Sequence, residues 1–215
     1  AKMDSVAMVA ITGQVASHLL GTDAFQELDT FGVMLPITKH TWLIRSTEEL
    51  LEVIPAAFRL ASEGRPGPVC IDIPKDIQQN SIEVAHWPEM NTPEKPPVIH
   101  TDALLDRAID MIQQAKRPVL YAGGGIISSG CSDNLRRLAE RMNLPTATSF
   151  MGLGVVPHEH PLNLGMLGMH GAPYTNRILN ECDLLLAIGA RFDDRATGKV
   201  SEFCPHASII HIDID

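Results

Sequence analysis

A chain of 215 residues carries 17 Lys and Arg against 26 Asp and Glu, a formal net charge of −9. That balance disfavours a nucleic-acid partner, because phosphate contact needs clustered Lys and Arg, while 45% hydrophobic and 20% charged residues give the make-up of a globular protein well supplied for a core. No apolar run approaches the ~20 residues of a membrane helix, so no membrane partner is expected, and AKMDSVAMVAITGQV lacks the basic-then-apolar layout of a secretory leader. Cys70, Cys131, Cys182 and Cys204 are far apart with no CxxC pair, which points to reduced core thiols in a cytoplasmic setting rather than a disulfide scaffold or a zinc site.

Apolar, β-branched runs alternate with helix-period segments, the signature of α/β units around a parallel sheet. In chain order, VAMVAIT (6–12) reads as a core strand entered without preamble. Ser46-Thr-Glu-Glu49 has capping-box spacing ahead of LLEVIPAAFRLA, and Pro55 within that segment predicts a kink or a fresh helix start. VCIDI (69–73) is the next strand. Residues 86–97, HWPEMNTPEKPP, hold four prolines and no periodicity, the composition of an extended linker between a first domain over 1–85 and a second over 98–215. Thr101 and Asp102 open a helix, DALLDRAIDMIQQA, with Leu104, Leu105, Ala108, Ile109 and Ile112 on one face. PVLYA (118–122) is a strand, 132–142 a helix that turns Leu135 and Leu138 inward, and 145–148, 184–189 and 208–213 are further strands. Both chain ends are abrupt, which reads as part of a longer polypeptide. His158 and His160 flank one glutamate with no second ligand cluster nearby, so a turn is expected there and no residue is assigned to a metal.

In open parallel sheets, ligands bind beyond the carboxyl ends of the strands. Strand 118–122 runs into Gly123-Gly124-Gly125, which suits close backbone approach and offers amides to a phosphate. Ser128 stands where the third glycine of GxGxxG belongs, so a tight strand-to-helix turn is the alternative. Asp213, at a late strand end, suits ribose hydroxyls or is a solvated terminus. GMLGMHG (165–171) suits a loop lying flat on a planar group, with methionine filling the gaps, or a Met-rich core loop. LLLAIGARFDDR (184–195) drives a buried strand into Arg191, Asp193, Asp194 and Arg195. Guanidinium forks steadied by aspartates fit an anionic cofactor and an anionic substrate, the alternative being a surface ion-pair network. On residue chemistry alone, these features rank a non-catalytic nucleotide-binding module first.

ITGQV (11–15), GTDAFQE (21–27), GRPGPV (64–69), DIPKD (72–76), GGG (123–125), GMLGMHG and GARFDDR occur in the order in which they recur in the acetohydroxyacid synthase (acetolactate synthase) large-subunit family of thiamine-diphosphate enzymes. The chain resembles that family along its whole length. The resemblance implies an α/β fold in which the C-terminal half of a pyrimidine-binding domain (1–85) precedes an incomplete, Rossmann-like, parallel-sheet central domain (98–215) that binds FAD. It implies that Arg65 meets the FAD phosphate and that Gly123, Gly124 and Gly125 lie beneath the cofactor. Ser149, Phe150, Leu167, Gly168, Met169, His170, Gly189, Ala190, Arg191, Asp193 and Asp213 would line it. Phe25 and Gln26 resemble residues that reach a neighbouring subunit's active site, Arg195 the arginine that receives the second ketoacid's carboxylate, and Lys75 and Met169 residues at the mouth of the substrate channel.

The implied reaction decarboxylates pyruvate on thiamine diphosphate and condenses the enamine with pyruvate or 2-ketobutyrate, giving 2-acetolactate or 2-aceto-2-hydroxybutyrate for isoleucine, valine and leucine synthesis. The flavin is structural in this family. Implied partners are 2-ketoacids, further copies in a homodimer or homotetramer with shared active sites, and a regulatory small subunit. The implied location is the cytoplasm, or an organelle in a plant or fungus. The family's activating glutamate maps before residue 1 and its GDG…N segment for Mg²⁺ and diphosphate after residue 215; no GDG occurs within the chain. The chain alone is therefore expected to be inactive. Ala16 stands where many relatives have proline, which bears on inhibitor sensitivity. Another thiamine-diphosphate carboligase, such as glyoxylate carboligase, is the rival within the enzymes.

Overall fold

The computed structural model describes residues 1–89 and 102–215. Most of the expected 86–97 linker, and Thr101, lie outside them. The chain divides into two units, Ala1–Pro97 with Asp215, and Val98–Ile214, and each contains its own parallel sheet.

The first unit holds β1 (Met8–Gln14), α1 (Thr30–Met34), β2 (His40–Leu43), α2 (Leu50–Ser62), β3 (Pro68–Pro74) and α3 (Lys75–Gln79). Its sheet runs β1-β3-β2, both pairings parallel. Central β3 is buried almost throughout, as the near-continuous apolar run PVCIDIP requires of a strand covered on both faces. Val53, Ala57 and Ala61 recur every four residues along α2 and bury with Ile44, Val69, Ile71 and Ile77. Two expectations are corrected and one strand is added. β1 starts two residues later than the apolar run and is an edge strand with Met8 and Ile11 exposed, not a core strand. β2 was not foreseen, because HTWL is too short to show a period of two. α2 continues through Pro55, with no fresh start, since the helix loses one hydrogen bond there and keeps its buried stripe. The Ser46–Glu49 pair closes the turn ahead of the helix, Ser46 Oγ accepting from the Glu49 N–H at 3.3 Å and the Glu49 carboxylate from the Arg45 N–H at 2.7 Å, while Glu49, the N-cap of α2, makes no side-chain cap bond.

The second unit holds α4 (Asp102–Gln114), β4 (Pro118–Ala122), α5 (Gly124–Ser128), α6 (Ser132–Met142), β5 (Thr146–Thr148), β6 (Asn163–Met166), α7 (Pro173–Glu181), β7 (Leu184–Ile188), α8 (Asp194–Thr197) and β8 (Ser208–Ile212). Its sheet is parallel with order β6-β5-β4-β7-β8. The chain moves outward from β4 to β6 and then returns to build β7 and β8 on the other side. Strand direction of travel therefore reverses between β4 and β7, the place where such sheets open a crevice. Alternate residues of β4 and β7 feed two cores: Val119, Tyr121, Leu185 and Ala187 on one face, Leu120, Ala122 and Leu186 on the other. Leu135 is buried and Leu138 packs beside it, as the α6 pattern predicts. The α4 stripe behaves otherwise: Leu104, Leu105 and Ile109 are exposed, and Ile112 packs on the second core. Periodicity records what a helix can bury, and only the last turn of α4 reaches that core. β6 was also unforeseen, so Gly165 and Met166 of the glycine–methionine stretch are strand rather than loop. Among the described residues no helix is long and apolar enough to cross a membrane.

Candidate functional site

At the carboxyl edge of the second sheet, the ends of β4 and β7 meet backbone against backbone. The Gly123 N–H donates to Ile188 O at 2.9 Å and the Gly125 N–H to Gly189 O at 3.0 Å. A Cβ on Gly123 would lie 2.0 Å from Gly189 O. Two of the three amides expected to face a phosphate are thus used inside the sheet. These glycines serve by having no side chain.

The charges that follow β7 are organised by one aromatic anchor. Phe192 takes a left-handed φ of +53° and its ring packs edge-on against Tyr121, Phe203 and His211, with centroids 5.7, 6.1 and 5.0 Å away. His211 Nε2 donates to Ala190 O at 2.7 Å, pinning the turn from the neighbouring strand. Burial pushes the Tyr121 phenol up to about 12, with the Asp193 charge adding to the rise and Arg191 opposing it. Asp193 caps α8: its Oδ1 accepts from the Arg195 and Ala196 N–H groups at 3.0 and 3.1 Å. Its Oδ2 lies 3.7 Å from Arg191 Nε. Arg195 Nε is 3.7 Å from Asp194 Oδ2, and its Nη1 is 3.8 Å from Met169 Sδ.

The 165–171 stretch is clamped onto α8. The Met169 N–H donates to Arg195 O at 2.8 Å. Gly168 has φ +91°, and a Cβ there would lie 2.4 Å from Arg195 O. Asn176 of α7 holds Gly168 from the other side, its Oδ1 accepting the Gly168 N–H at 2.8 Å and its Nδ2 donating to Gly168 O at 2.9 Å. Asn176 was missed by sequence reasoning; within PYTNRILNE nothing separates it from an ordinary helix-surface residue.

Between these parts lies a groove of about 280 Å³ lined by Ser149, Phe150, Met166, Leu167, His170, Asp193, Arg195 and Ala196. Six of the expected residues converge there; Met166 and Ala196 are additions. Gly168, Met169, Gly189, buried Ala190 and Arg191 are not among its lining residues. Asp213 sits just past β8, its Oδ1 accepting the Ile214 N–H at 2.8 Å, and does not line the groove. A neighbouring hollow of about 180 Å³ is bounded by Thr148, Leu153, Val156, His158 and Asn163, among others. Thr148 Oγ1 is buried there and, among the described residues, has no hydrogen-bond partner. His160 ends the adjoining turn, where its Nδ1 accepts the Leu162 N–H at 3.2 Å.

The first unit carries the other expected residues. Phe25, 89% exposed, and Gln26 sit on the loop before α1. Arg65 lies between α2 and β3 with its Nε donating to Ser5 Oγ at 3.0 Å. Lys75 is the exposed first residue of α3.

An open parallel α/β sheet with a groove at its carboxyl edge is the class of domain these features define. The profile of the thiamine pyrophosphate enzyme central domain matches residues 105–215, just over half of the chain, and the chain belongs to that family. Over its whole length it is 54% identical to the acetolactate synthase isozyme 1 large subunit of Escherichia coli K12, 49% to the acetolactate synthase large subunit of Parasynechococcus marenigrum and 48% to that of Corynebacterium glutamicum. It spans 38%, 35% and 34% of those relatives' lengths.

Proposed function

We propose that the chain is a segment of an acetolactate synthase large subunit. That enzyme decarboxylates pyruvate and condenses the two-carbon unit with pyruvate or 2-ketobutyrate, giving 2-acetolactate or 2-aceto-2-hydroxybutyrate for branched-chain amino-acid synthesis. The observation that carries the reading is the groove itself, which gathers Ser149, Phe150, Leu167, His170, Asp193 and Arg195 in a chain similar throughout to such subunits. Thiamine diphosphate, with Mg²⁺ on its diphosphate, supplies the electron sink for decarboxylation when bound, and we assign its holding groups to segments beyond residues 1–215.

The carboxyl edge fits a structural FAD. Its groove has apolar walls from Phe150, Met166 and Leu167 and one charged side from Asp193 and Arg195. Gly168 lets one wall of the groove lie directly on the Arg195 backbone, where a Cβ would clash. Ser149, Phe150, Leu167 to His170, Gly189 to Arg191 and Asp193 would hold the dinucleotide over Gly123 to Gly125; Asp213, outside the groove, and Arg65, in the first unit, are assigned to FAD by the resemblance alone. Arg195 keeps an exposed guanidinium, suited to a bidentate pair with an acceptor carboxylate. The resemblance alone assigns Lys75, in the first unit, and Met169, in the second, to the substrate channel. Phe25 and Gln26 serve the active site of a neighbouring copy, so the working form is a homodimer or homotetramer. The words "large subunit" in the relatives' names support a regulatory small subunit, and we place the enzyme in the cytoplasm, or in an organelle if the source is a plant or fungus.

The test titrates the full-length protein with FAD and assays it on pyruvate with and without 2-ketobutyrate. We expect saturable flavin binding, acetolactate formation, and a KM for the acceptor raised about tenfold or more in Arg195→Ala, in line with the roughly 1.5–3 kcal/mol of a hydrogen bond to a charged group. A blank flavin titration with ATP or NAD binding instead favours the nucleotide-binding module. Preference for glyoxylate favours the other carboligase.

A further inference from the structure

The loop GTDAFQE winds around one of its own side chains. The Glu27 carboxylate turns back to accept the Gly21 N–H and, at 3.1 Å, the Ala24 N–H. The Glu27 N–H donates to Ala24 O at 2.9 Å, and Thr22 closes the near end through its Oγ1 to Leu19 O at 2.7 Å. Within this ring, Asp23 and Gln26 hold left-handed φ values of +58° and +65°, a conformation that non-glycine residues keep only when their surroundings over-determine it. Phe25 lies between them, almost wholly exposed, so its own side chain contributes no packing that could impose the shape. The far end of the loop is fixed to the sheet. Gln14 Nε2 donates to Leu28 O at 2.7 Å and to Asp72 Oδ2 at 3.0 Å, and buried Asp72 is held in turn by Thr12 Oγ1 at 2.7 Å.

We propose that Glu27 is the positioning residue of this loop: its carboxylate holds Phe25 and Gln26 in the pose in which they serve the active site. The proposal rests on the reading of Phe25 and Gln26 given above. The Gly21 N–H also keeps the Glu27 carboxyl below its ordinary range, so the ring is closed by an ionised group, which makes the stronger kind of hydrogen bond. Asp72 and Gln14 fix where the loop leaves the sheet, and Glu27 fixes its shape.

A double-mutant cycle in the full-length enzyme tests this, with kcat and KM for pyruvate measured separately. Phe25→Ala and Gln26→Ala are the reference variants. Glu27→Ala is expected to lower kcat/KM by about ten- to a hundredfold, the range that roughly an ångström of misplacement costs, and to change kcat and KM in the same proportions as Gln26→Ala. Glu27→Ala/Gln26→Ala should be no worse than the weaker single variant, because residues that act through one another are not additive. Glu27→Gln, which keeps one acceptor oxygen, should fall between wild type and Glu27→Ala and provides the comparison if the alanine variant folds poorly. Additive losses in the double variant, or wild-type kinetics in Glu27→Ala and Glu27→Gln while the reference variants lose activity, would overturn the proposal and leave the reading intact. Wild-type kinetics in both reference variants would overturn the reading and the proposal with it.

Discussion

Asp76 is a carboxylate gripped by two donors of a single residue, Ser17. Its Oδ1 accepts from the Ser17 N–H at 2.9 Å and Ser17 Oγ at 3.0 Å, and the Ser17 N–H is the leading reason its pKa is lowered. A carboxyl whose folded pKa lies below its unfolded value contributes its tie in full above the unfolded pKa, and that contribution is lost as pH falls through the folded value. The junction between Ser17–Leu19 and α3 should therefore hold at neutral pH and loosen only in acid below the ordinary aspartate range. In a pH titration followed by NMR, the Ser17 amide should shift with an apparent pKa below about 3.9, the model aspartate value; a shift at or above that value contradicts the assignment. The same residue-level reading explains what could be foreseen in GARFDDR. That the charges stand at a strand end is legible in sequence, since LLLAI can only be a buried strand. That Phe192 is the pivot is not, because its role comes from Tyr121, Phe203 and His211, distant in the chain and near in the fold.

At the scale of elements, the decisive junction is the one between β4 and β7. Each strand runs straight into glycine, Gly123 after β4 and Gly189 after β7, and these touch without a side chain between them, which fixes the register at which α5 and the turn after β7 begin. Gly123→Ala forces a methyl onto Gly189 O, where only backbone can yield, so the cost should reach or exceed the roughly 1–3 kcal/mol typical of overpacking. A denaturant midpoint unchanged in Gly123→Ala would show that the strand ends separate freely. Gly124→Ala faces Met151 at 2.9 Å, part of which is side chain, and should be the milder change. Element prediction succeeded where a run was long or strongly periodic, as in α2, α6, β3, β4 and β7. It failed for β2 and β6, four residues each, because a strand so short is specified by its neighbours rather than by its own alternation. It succeeded at α4 as well, although most of that helix's apolar stripe stays exposed among the described residues.

Across the whole molecule, apolar exposure is uneven. Phe25, Leu28, Phe31, Val33, Leu35 and Ile37 are all exposed within thirteen consecutive positions, 25–37. Single exposed apolar residues are unremarkable, whereas a concentration of them marks a surface that is covered in the working form. The chain expressed alone should bind a hydrophobic dye and sediment as a dimer or larger at micromolar concentration; a dye-silent monomer by sedimentation velocity contradicts this. Here the limits of sequence reading are physical: hydropathy tells which residues prefer to leave water, and only the fold tells which have failed to do so. The Asn176 clamp has a further effect. Because one amide grips both the N–H and the C=O of Gly168 while the next residue is bonded to α8, two banks of the groove are yoked to α7. A change on the buried side of α7 should therefore alter the shape of the groove, which opens its walls to tuning by residues that do not line it.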